Sequence, residues 1–596
     1  MKKPLKSIIA FSLSLSMLSL VGFSQAKAST DKFAPSLPNY QKLDKDFAKD
    51  LKSEGKQLKG KKLHGYKGKS YFQPGNLDNL THKDVRGHDN KGIAILVDFP
   101  VSEGNISDVP GVDYEQIPKE KFQDLMNGTE YNPYDLEMFK WLAEYEGVKA
   151  PTDRTLRNYY DEVSYGQFSI DVDVVGWYTL PHSYEYYLGQ NNGYYNENGD
   201  ANFAELVKDA LMLADKDVDF TEYAVDAKPG DFDILGIEGD TLEQDGETYT
   251  QIVPNVFIIH RGTGAEYSAD PSIIWSHQWD IISASYFGDY YKTGEYPNDA
   301  DLRFTTVDGV VVNEYNTVPE VGQDISGYYI EGGRKPSPAY PGVFAHEFGH
   351  QLGLPDQYDY GYDSEGTGVF TLMASGASGR NIPYRWYSDN TPTHMDAWSK
   401  YYLGFIQPRE FKPEDGRQTI TLKPASEYPQ ALKVEVPGSN GREYFLIENR
   451  QQTGYDAGLE YNFDENPKDL HGLVVYHIDE NVFIRNFNRP NEAANWDWNN
   501  RGRNYRDKDT GENHYAIAVV QADGNWDMEK GINDGDCGDV FPGKYGITEL
   551  NSNIKSNPNT LSYYRWDVNK KGITGLIIEN IVEENGVVTF DIFFEN

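Results

Sequence analysis

The chain of 596 residues carries 93 acidic and 55 basic residues, a formal net charge of -38, and a single cysteine. Such a surface repels nucleic acid and anionic membranes, which argues against both as partners. One cysteine excludes a disulfide-built scaffold and a zinc site made of several thiolates. With 38% hydrophobic residues, the chain has enough apolar surface to build sizeable cores.

The first residues have the pattern of a secretory signal peptide. Three lysines lie within the first six residues, an apolar run extends from Ile8 to Val21, and Ala26-Lys27-Ala28 offers a small-residue cleavage pattern. The run is short and rich in serine, unlike a transmembrane helix, and a retained anchor is the alternative. We expect residues 1–28 to be a signal peptide and the mature protein to be secreted, from a bacterial exporter, without a stable membrane anchor.

The next segment is basic, unlike the rest of the chain. Residues 29–70 contain eleven lysines and five acidic residues. A basic segment in front of a strongly acidic protein predicts, over residues 29–90, a propeptide that docks electrostatically on the domain after it. An ordinary solvated linker is the alternative.

After the basic segment, strands alternate with helices in the predicted pattern. The apolar runs from Gly92 to Phe99 and from Val256 to His260 indicate strands covered on both faces. From Phe168 to Val174 apolar and polar residues alternate, which indicates a strand with one wet face, and residues 201–213 form an amphipathic helical pattern. We predict an α+β protein with a mixed α/β catalytic domain over residues 91–408.

Beyond Pro408 the chain changes to short strands separated by Gly, Asn and Asp turns. This pattern predicts a β-rich, sandwich-like C-terminal module over residues 409–596. The predicted strands are Thr419–Leu422, Tyr444–Glu448, Leu473–His477, Ala516–Gln521 and Val587–Phe594.

A metal-binding pattern stands in the middle of the chain. His346 and His350 are four residues apart, so on a helix both can direct an imidazole nitrogen at one ion. Glu347 can reach water on that ion without being a ligand itself, as the general base of a hydrolase does. A helix with two surface histidines is the alternative.

The residues after this pattern predict the third ligand. Gly353 suits a helix end that needs positive φ, and Pro355 prevents the helix from resuming. A chain that turns back there brings Asp356 to the ion, and the fourth position stays open for water, as in catalytic zinc sites. Asp359 or Glu365 is the alternative third ligand, and iron is the alternative metal.

Downstream, Met373 precedes a turn of small residues and could form a hydrophobic floor beneath the metal, or be an ordinary core methionine. Three residues after it could stabilise an oxyanion, although no spacing selects one of them: Tyr384, Tyr387 and His394.

The segment from Gly342 to Asp356 resembles the zinc signature of the immune inhibitor A family of secreted bacterial metallopeptidases. Further stretches resemble that family as well, and they extend from about residue 90 to the end of the chain: Arg157-Asn158-Tyr159-Tyr160, Gly176-Trp177-Tyr178, Ile274-Trp275-Ser276-His277, Asp396-Ala397-Trp398, Tyr476-His477-Ile478-Asp479 and Asp539-Val540-Phe541-Pro542-Gly543. The resemblance implies a metzincin-like catalytic domain, an N-terminal propeptide and zinc-dependent endopeptidase activity on proteins.

Latency and calcium give two further expectations. Cys537 is too far from the front of the chain for a cysteine switch, so an aspartate or histidine of the basic segment would cap the zinc, with candidates Asp78, His82, Asp84 and His88. Calcium could bind at two acidic loops, the first with Asp226, Asp231 and Asp233 and the second with Asp534, Asp536 and Asp539, with solvated turns as the alternative.

The function predicted from these patterns is a secreted, monomeric zinc endopeptidase that cleaves proteins or peptides, with Glu347 as general base and His346, His350 and Asp356 as ligands. Two other classes stay open. The first is a secreted binding or adhesion protein on the same fold, which would have no use for Glu347. The second is a glycan-active protein, suggested by abundant aromatic residues but by no particular pair of carboxylates.

Overall fold

A computed structural model describes residue 83 and residues 85–595, apart from residue 271 and the ranges 147–148, 190–201, 233–238, 268–269, 294–301, 325–335, 360–363, 383–387, 462–468, 486–489, 492–513 and 564–571. The predicted signal peptide and most of the basic segment lie outside the described residues. So do Asp78, His82, Asp84, Asp233, Tyr384, Tyr387 and the side chain of His88.

The α-helices of the described residues are distributed over both halves of the chain. They are α1 (Lys119–Asn127), α2 (Glu137–Glu146), α3 (Leu156–Val163), α4 (Tyr184–Leu188), α5 (Phe203–Ala214), α6 (Ile281–Thr293), α7 (Pro341–Gln351), α8 (Ala397–Tyr402) and α9 (Glu480–Arg485).

The β-strands fall into sheets of the first and the second half. Those of the first half are β1 (Gly87–Asp98), β2 (Phe168–Thr179), β3 (Val225–Asp226), β4 (Leu242–Gln244), β5 (Glu247–Tyr249), β6 (Gln251–Val253), β7 (Val256–Thr263), β8 (His277–Asp280), β9 (Thr305–Val307), β10 (Val310–Val312), β11 (Glu314–Asp324) and β12 (Pro336–Pro338). Those of the second half are β13 (Arg409–Phe411), β14 (Gln418–Leu422), β15 (Leu432–Glu435), β16 (Glu443–Arg450), β17 (Gly472–Asp479), β18 (Ile517–Val519), β19 (Leu576–Glu584) and β20 (Val587–Phe594).

The main sheet of the first half has the strand order β12-β11-β7-β1-β2, and β8 also pairs with β11. β2, β1, β7 and β11 run parallel, whereas β8 and β12 are antiparallel to β11. Parallel strands have crossovers that cover both faces of the sheet, so apolar side chains occupy both. Accordingly Ile93 to Val97 and Val256 to Ile259 are fully buried, and the two predicted buried strands are confirmed.

Helices pack on both faces of this sheet. On one face Tyr159 of α3 and Phe348 of α7 share a core with Phe257 and Ile259 of β7. On the other face α4 and α5 pack against side chains that include Ile258. The predicted helix over residues 201–213 is confirmed as α5, and the mixed α/β arrangement of this half is confirmed as well.

β2 is an edge strand, and its exposure follows from that position. Phe168, Ile170 and Val172 are buried, while Asp171 and Asp173 are exposed, so the predicted alternation is confirmed. The remaining strands of the first half form a four-stranded sheet of order β3-β6-β10-β9 and the hairpin β4-β5.

The second half contains a five-stranded sheet of order β13-β15-β16-β17-β18 and a three-stranded sheet of order β14-β20-β19. The two sheets share one apolar core, to which β16 contributes Phe445 and β20 contributes Phe590. The five strands predicted beyond Pro408 are confirmed as β14, β16, β17, β18 and β20.

The two halves are joined by a continuous core. Trp398 of α8 and Phe348 of α7 belong to the same buried cluster as Tyr444 and Tyr476 of the second half. The strand β1 begins at Gly87, ahead of Lys91, and pairs there with Phe168. Across the described ranges, no helix combines the length and the apolar run that crossing a bilayer requires.

Candidate metal centre

The helix α7 is held by apolar contacts on its inner side. Pro341 occupies its first turn, where a fixed φ and a missing N–H are tolerated. The ring of Phe348 lies 5.1 Å from Tyr160 and 5.7 Å from Phe257, and the hydroxyl of Tyr160 donates to the Ala345 carbonyl at 2.7 Å. These contacts fix the rotation of the helix about its axis.

The end of α7 is a Schellman motif. Gly353 has φ 100°, its N–H donates to the His350 carbonyl at 2.7 Å, and the Leu354 N–H donates to the Gly349 carbonyl at 3.0 Å. Gly353 thus has the positive φ and the hydrogen bond of a helix end. The reversal brings the following residues back along the helix, and Asp356 with them.

Asp356 meets both histidines. Its Oδ1 lies 3.1 Å from Nε2 of His346 and 3.1 Å from Nε2 of His350. The side chains of the three residues are largely buried, with 13%, 11% and 6% exposed for His346, His350 and Asp356. Their donor atoms all lie within 4.8 Å of one another, close enough for a single ion.

Two backbone carbonyls fix the tautomers of the imidazoles. Nδ1 of His346 lies 2.9 Å from the Leu372 carbonyl, and Nδ1 of His350 lies 2.8 Å from the Leu354 carbonyl. A carbonyl only accepts, so each neutral ring carries its proton on Nδ1 and a lone pair on Nε2. Both lone pairs and a carboxylate oxygen then face one point, an arrangement that a cation satisfies. Two imidazole nitrogens and one carboxylate oxygen fit zinc in a site with an open position.

The three groups shift one another's pKa values in the directions that favour opposite charges. Burial opposes ionisation of Asp356, yet the two imidazoles hold the pKa of its carboxyl well below the usual range. Burial lowers the pKa of each histidine, but contact with Asp356 outweighs it and the net direction is upward. The cluster therefore favours a carboxylate beside positive charge.

Residues next to Asp356 anchor it to α8. The Gln357 N–H donates to the Met373 carbonyl at 2.8 Å, and its side chain donates to Asp396 at 2.8 Å. Asp396 is fully buried and caps α8, and it also accepts a hydrogen bond from Thr371 at 2.8 Å. Such supporting contacts restrict where a ligand can move.

Met373 lies beneath α7. It is fully buried, and a Cβ added at Gly349, between the two histidines, would lie 2.6 Å from its Sδ. A glycine at this position therefore lets the thioether approach the helix backbone. A role of Met373 as the hydrophobic floor of a metal site stays a prediction.

Glu347 lies beside the three donors and is 5% exposed. Burial raises the pKa of Glu347 to about 8. The neighbouring Asp356 and Glu266 raise it further, whereas His346 lowers it. An opposite charge at the donor atoms would favour the carboxylate form.

The alternative residues lie elsewhere. Asp359 accepts a hydrogen bond from Ser364 at 3.1 Å, and Glu365 is hydrogen-bonded to Asp534. His394 is fully buried, with Nε2 at 2.8 Å from Glu162, so its side chain is engaged away from the three donors. Of the described acids considered as a third ligand, Asp356 is the one that meets both histidines.

The predicted calcium loops are tied into turns. Asp231 accepts from the Lys228 N–H at 2.9 Å, and Asp226 is exposed. Asp536 accepts from the Gly538 N–H at 2.6 Å, and Asp539 accepts from the Asp536 N–H at 2.7 Å. These contacts are those of turns, and calcium at either loop stays a prediction.

A second group of donor atoms lies on the opposite face of the main sheet. His182, Glu205 and Asp209 bring one atom each within 4.8 Å of the others, and the His182 side chain is 45% exposed. Exposed groups of this kind are common without an ion.

Comparisons with known proteins relate this chain to metallopeptidases. Residues 78–406 match the family described as "Immune inhibitor A peptidase M6, catalytic domain". The chain is 27% identical over 321 residues to the pre-pro-metalloprotease PrtV of Vibrio cholerae serotype O1, an alignment covering 53% of this chain and 29% of that protein. It is 28% identical over 330 residues to Immune inhibitor A of Bacillus thuringiensis subsp. alesti, covering 54% of this chain and 40% of the relative.

The aligned stretches thus span less than half the length of either relative. The family match covers more than half of this chain. The chain therefore belongs to the immune inhibitor A family of M6 peptidases.

Proposed function

We propose that this member of the immune inhibitor A peptidase family is a secreted zinc-dependent endopeptidase that hydrolyses peptide bonds in extracellular proteins. The observation that carries the proposal is the meeting of His346, His350 and Asp356 at 3.1 Å, with the buried Glu347 alongside. Similarity to a pre-pro-metalloprotease supports the same class of activity.

In this proposal His346, His350 and Asp356 would hold a zinc ion, which would supply Lewis acidity and a water of lowered pKa beside Glu347. Glu347 takes one proton from that water as the new C–O bond forms. The same carboxyl then delivers the proton to the amine nitrogen as the C–N bond breaks. Glu347 thus ends the cycle in the ionisation state in which it began.

The surroundings of Glu347 suit this exchange of a proton. Burial raises the pKa of Glu347 above that of an exposed glutamate, and positive charge at the three donor atoms would favour the carboxylate form that accepts a proton.

Secretion and latency complete the proposal. The N-terminal pattern supports export, and the basic segment supports a propeptide whose last part reaches the catalytic domain. Lys83 lies at the end of α7, with Nζ 3.5 Å from the Leu352 carbonyl. A form trimmed to about Lys91 should cleave peptides faster than the intact chain. Equal rates would contradict the propeptide.

A secreted binding protein on the same fold is the alternative. Glu347 argues against it because binding alone needs no general base. Zinc found in the protein together with no cleavage of any peptide would favour the alternative.

The test compares three forms of the full chain: wild type, Glu347→Gln, and Glu427→Gln as a matched control at an exposed glutamate. Bound zinc and the cleavage rate of an unstructured protein are measured for each. Glu347→Gln should keep its zinc and lose about 100- to 10,000-fold in rate, the usual contribution of a general base. The control should match wild type, and equal rates for wild type and Glu347→Gln would refute the mechanism.

A further inference from the structure

An asparagine of the C-terminal half contacts the chain directly after Asp356. Asn491 is fully buried and lies between α9 and β18 in the sequence. Its side-chain amide nitrogen donates to the Gln357 carbonyl at 2.9 Å and to the Thr367 hydroxyl at 2.8 Å. One amide group therefore bridges the residue that follows Asp356 and a residue further along the same segment.

The other end of the Asn491 amide is anchored to β18. Its Oδ1 accepts from the Ile517 N–H at 3.1 Å, and the neighbouring Pro490 carbonyl accepts from the Ala516 N–H at 2.9 Å. A carbonyl only accepts and an N–H only donates, so one orientation of the amide satisfies its partners on both sides. The amide thus connects the five-stranded sheet of the C-terminal half to the segment after Asp356.

This contact completes the hydrogen bonds that fix Gln357. The Gln357 carbonyl also accepts from the Thr367 N–H at 3.0 Å, and the Gln357 N–H donates to the Met373 carbonyl at 2.8 Å. The peptide groups on both sides of Gln357 are therefore held. Because Asp356 is covalently joined to the first of these groups, the position of its backbone depends on them.

Two further contacts with the C-terminal half lie along the same segment. The Glu365 N–H donates to the Met528 carbonyl at 2.8 Å, and the Val369 N–H donates to the Asp534 carbonyl at 2.8 Å. Both join backbone to backbone and lie well beyond Gln357 in the sequence. Asn491 acts next to Asp356 and through a side chain, so a single substitution can remove its contact.

From these contacts we propose that Asn491 is a positioning residue, which bridges Gln357 and Thr367 and thereby holds Asp356 where it meets the two histidines. The inference rests on the proposed function, because it concerns the zinc centre of that reaction. Asn491 contacts the backbone of the segment and none of the three donor atoms. Zinc affinity therefore depends on a residue 134 positions away from Gln357 in the sequence.

Asn449 is a matched control in the same half of the chain. It is fully buried, and its amide nitrogen donates to the Leu422 carbonyl at 3.0 Å and to the Gly586 carbonyl at 2.8 Å. Its Oδ1 accepts from the Gln451 amide at 2.8 Å. The two asparagines thus have equal burial and the same kinds of hydrogen bond, so alanine should cost similar stability at either position.

The experiment uses the full chain as wild type, Asn491→Ala and Asn449→Ala. It measures the zinc dissociation constant by competition with a chelator at neutral pH, and the denaturation midpoint of the zinc-free protein. We expect both variants to lower the midpoint by similar amounts. Asn491→Ala should bind zinc about 10- to 100-fold more weakly than wild type, the usual effect of losing a contact that supports a ligand. Asn449→Ala should stay within about threefold of wild type.

A second comparison tests whether Asn491 acts through Asp356. In an Asp356→Ala background, Asn491→Ala should no longer weaken zinc binding, because the ligand that it positions is absent. The same fold-loss with and without Asp356 would overturn the proposal.

Wild-type zinc affinity in Asn491→Ala, or an equal loss in Asn449→Ala, would overturn the positional role as well. If Asn491→Ala does not fold, Thr367→Val decides, since it removes the hydroxyl that Asn491 bridges to Gln357 and keeps the size of the side chain. Zinc affinity equal to wild type in Thr367→Val would contradict the bridge. Failure of the proposed function has a separate signature, which is equal peptide cleavage by wild type and Glu347→Gln.

Discussion

Two buried polar clusters lie in the same core, and they differ in the balance of their hydrogen-bond donors and acceptors. Arg450 is fully buried, and its guanidinium is paired within the protein. Asp456 accepts hydrogen bonds from it at 2.6 and 2.5 Å, and the Phe370 carbonyl accepts one at 2.7 Å. At the metal centre, Nε2 of two histidines lies 3.1 Å from one carboxylate oxygen, and both Nδ1 atoms are held by backbone carbonyls. Burial is similar in both, so burial alone does not identify a binding site.

The difference lies in the balance of donors and acceptors. Asp456 also accepts a hydrogen bond from the backbone N–H of His394 at 2.9 Å, and the ammonium of Lys400 lies 3.7 Å from Glu448. Cations and anions therefore alternate within the Arg450 cluster. A buried cluster balanced in this way needs nothing from outside. A buried set of acceptors needs a cation, which is why we assign zinc to the second cluster and a structural role to the first.

The two clusters are also neighbours along the chain. The Phe370 carbonyl that accepts from Arg450 stands three residues before Met373, beneath α7. The C-terminal half thus fastens the segment that supports the metal centre. The boundary predicted at residue 408 marks a change of architecture, and the core continues across it.

Removing one histidine from the metal centre should have the largest effect on zinc binding and on peptide cleavage. His350→Ala should lose its zinc and at least about 1,000-fold in peptide cleavage, roughly 4 kcal/mol of transition-state stabilisation. His471→Ala, at a histidine whose side chain is 37% exposed, is the matched control and should retain both. Metal analysis and cleavage assays decide, and zinc content equal to wild type in His350→Ala would contradict the assignment.

Removing the cation from the balanced cluster should affect stability instead. Arg450→Met leaves Asp456 and Glu448 as buried anions without their partner, so the free energy of unfolding should fall by about 3–5 kcal/mol. Arg450→Met combined with Asp456→Asn should lose less than the sum of the two single variants. Denaturant unfolding measures this, and a strictly additive double variant would show that the two residues are not coupled.

The balanced cluster should also make stability depend on pH. Burial opposes ionisation of Asp456, but Arg450 lowers its pKa to about 2. A carboxyl with a depressed pKa contributes stability above its unfolded pKa of about 4, and loses it as pH falls toward 2. Between pH 5 and pH 2 the wild type should therefore lose about 2 kcal/mol more than Asp456→Asn, and parallel pH profiles of the two would contradict this.

The smallest effect should come from the floor of the metal centre. Gly349→Ala places a Cβ 2.6 Å from the Met373 Sδ, and the gain in helix propensity offsets part of the crowding, so we expect a loss of about 1 kcal/mol in stability. In a Met373→Ala background the same substitution should no longer destabilise. Thermal unfolding measures both, and an equal cost in the two backgrounds would show that Met373 is not the neighbour that matters.

Local spacing made much of the metal centre predictable. The four-residue interval between His346 and His350, the stop at Gly353 and the return at Asp356 all depend on residues close in sequence. The buried and alternating strands of both halves could be predicted for the same reason, because their periodicity is local.

Contacts between distant residues could not be predicted. The hydrogen bond from the Tyr160 hydroxyl to the Ala345 carbonyl joins α3 to α7, two elements that no periodicity relates, and Arg450 in β16 gives no local sign of its contact with Phe370. Calcium at the acidic loops stays a prediction. Their spacing suggests calcium, but in the structure Asp536 and Asp539 accept hydrogen bonds from the turn itself.

The most direct test of the contrast is the zinc dissociation constant of wild type, Asp356→Ala and Asp456→Asn, measured by competition with a chelator at neutral pH. We predict about one zinc per chain for wild type, an affinity at least about 100-fold weaker for Asp356→Ala, and a wild-type affinity for Asp456→Asn. Zinc bound equally tightly by Asp356→Ala and wild type, or no zinc bound by wild type, would contradict the account.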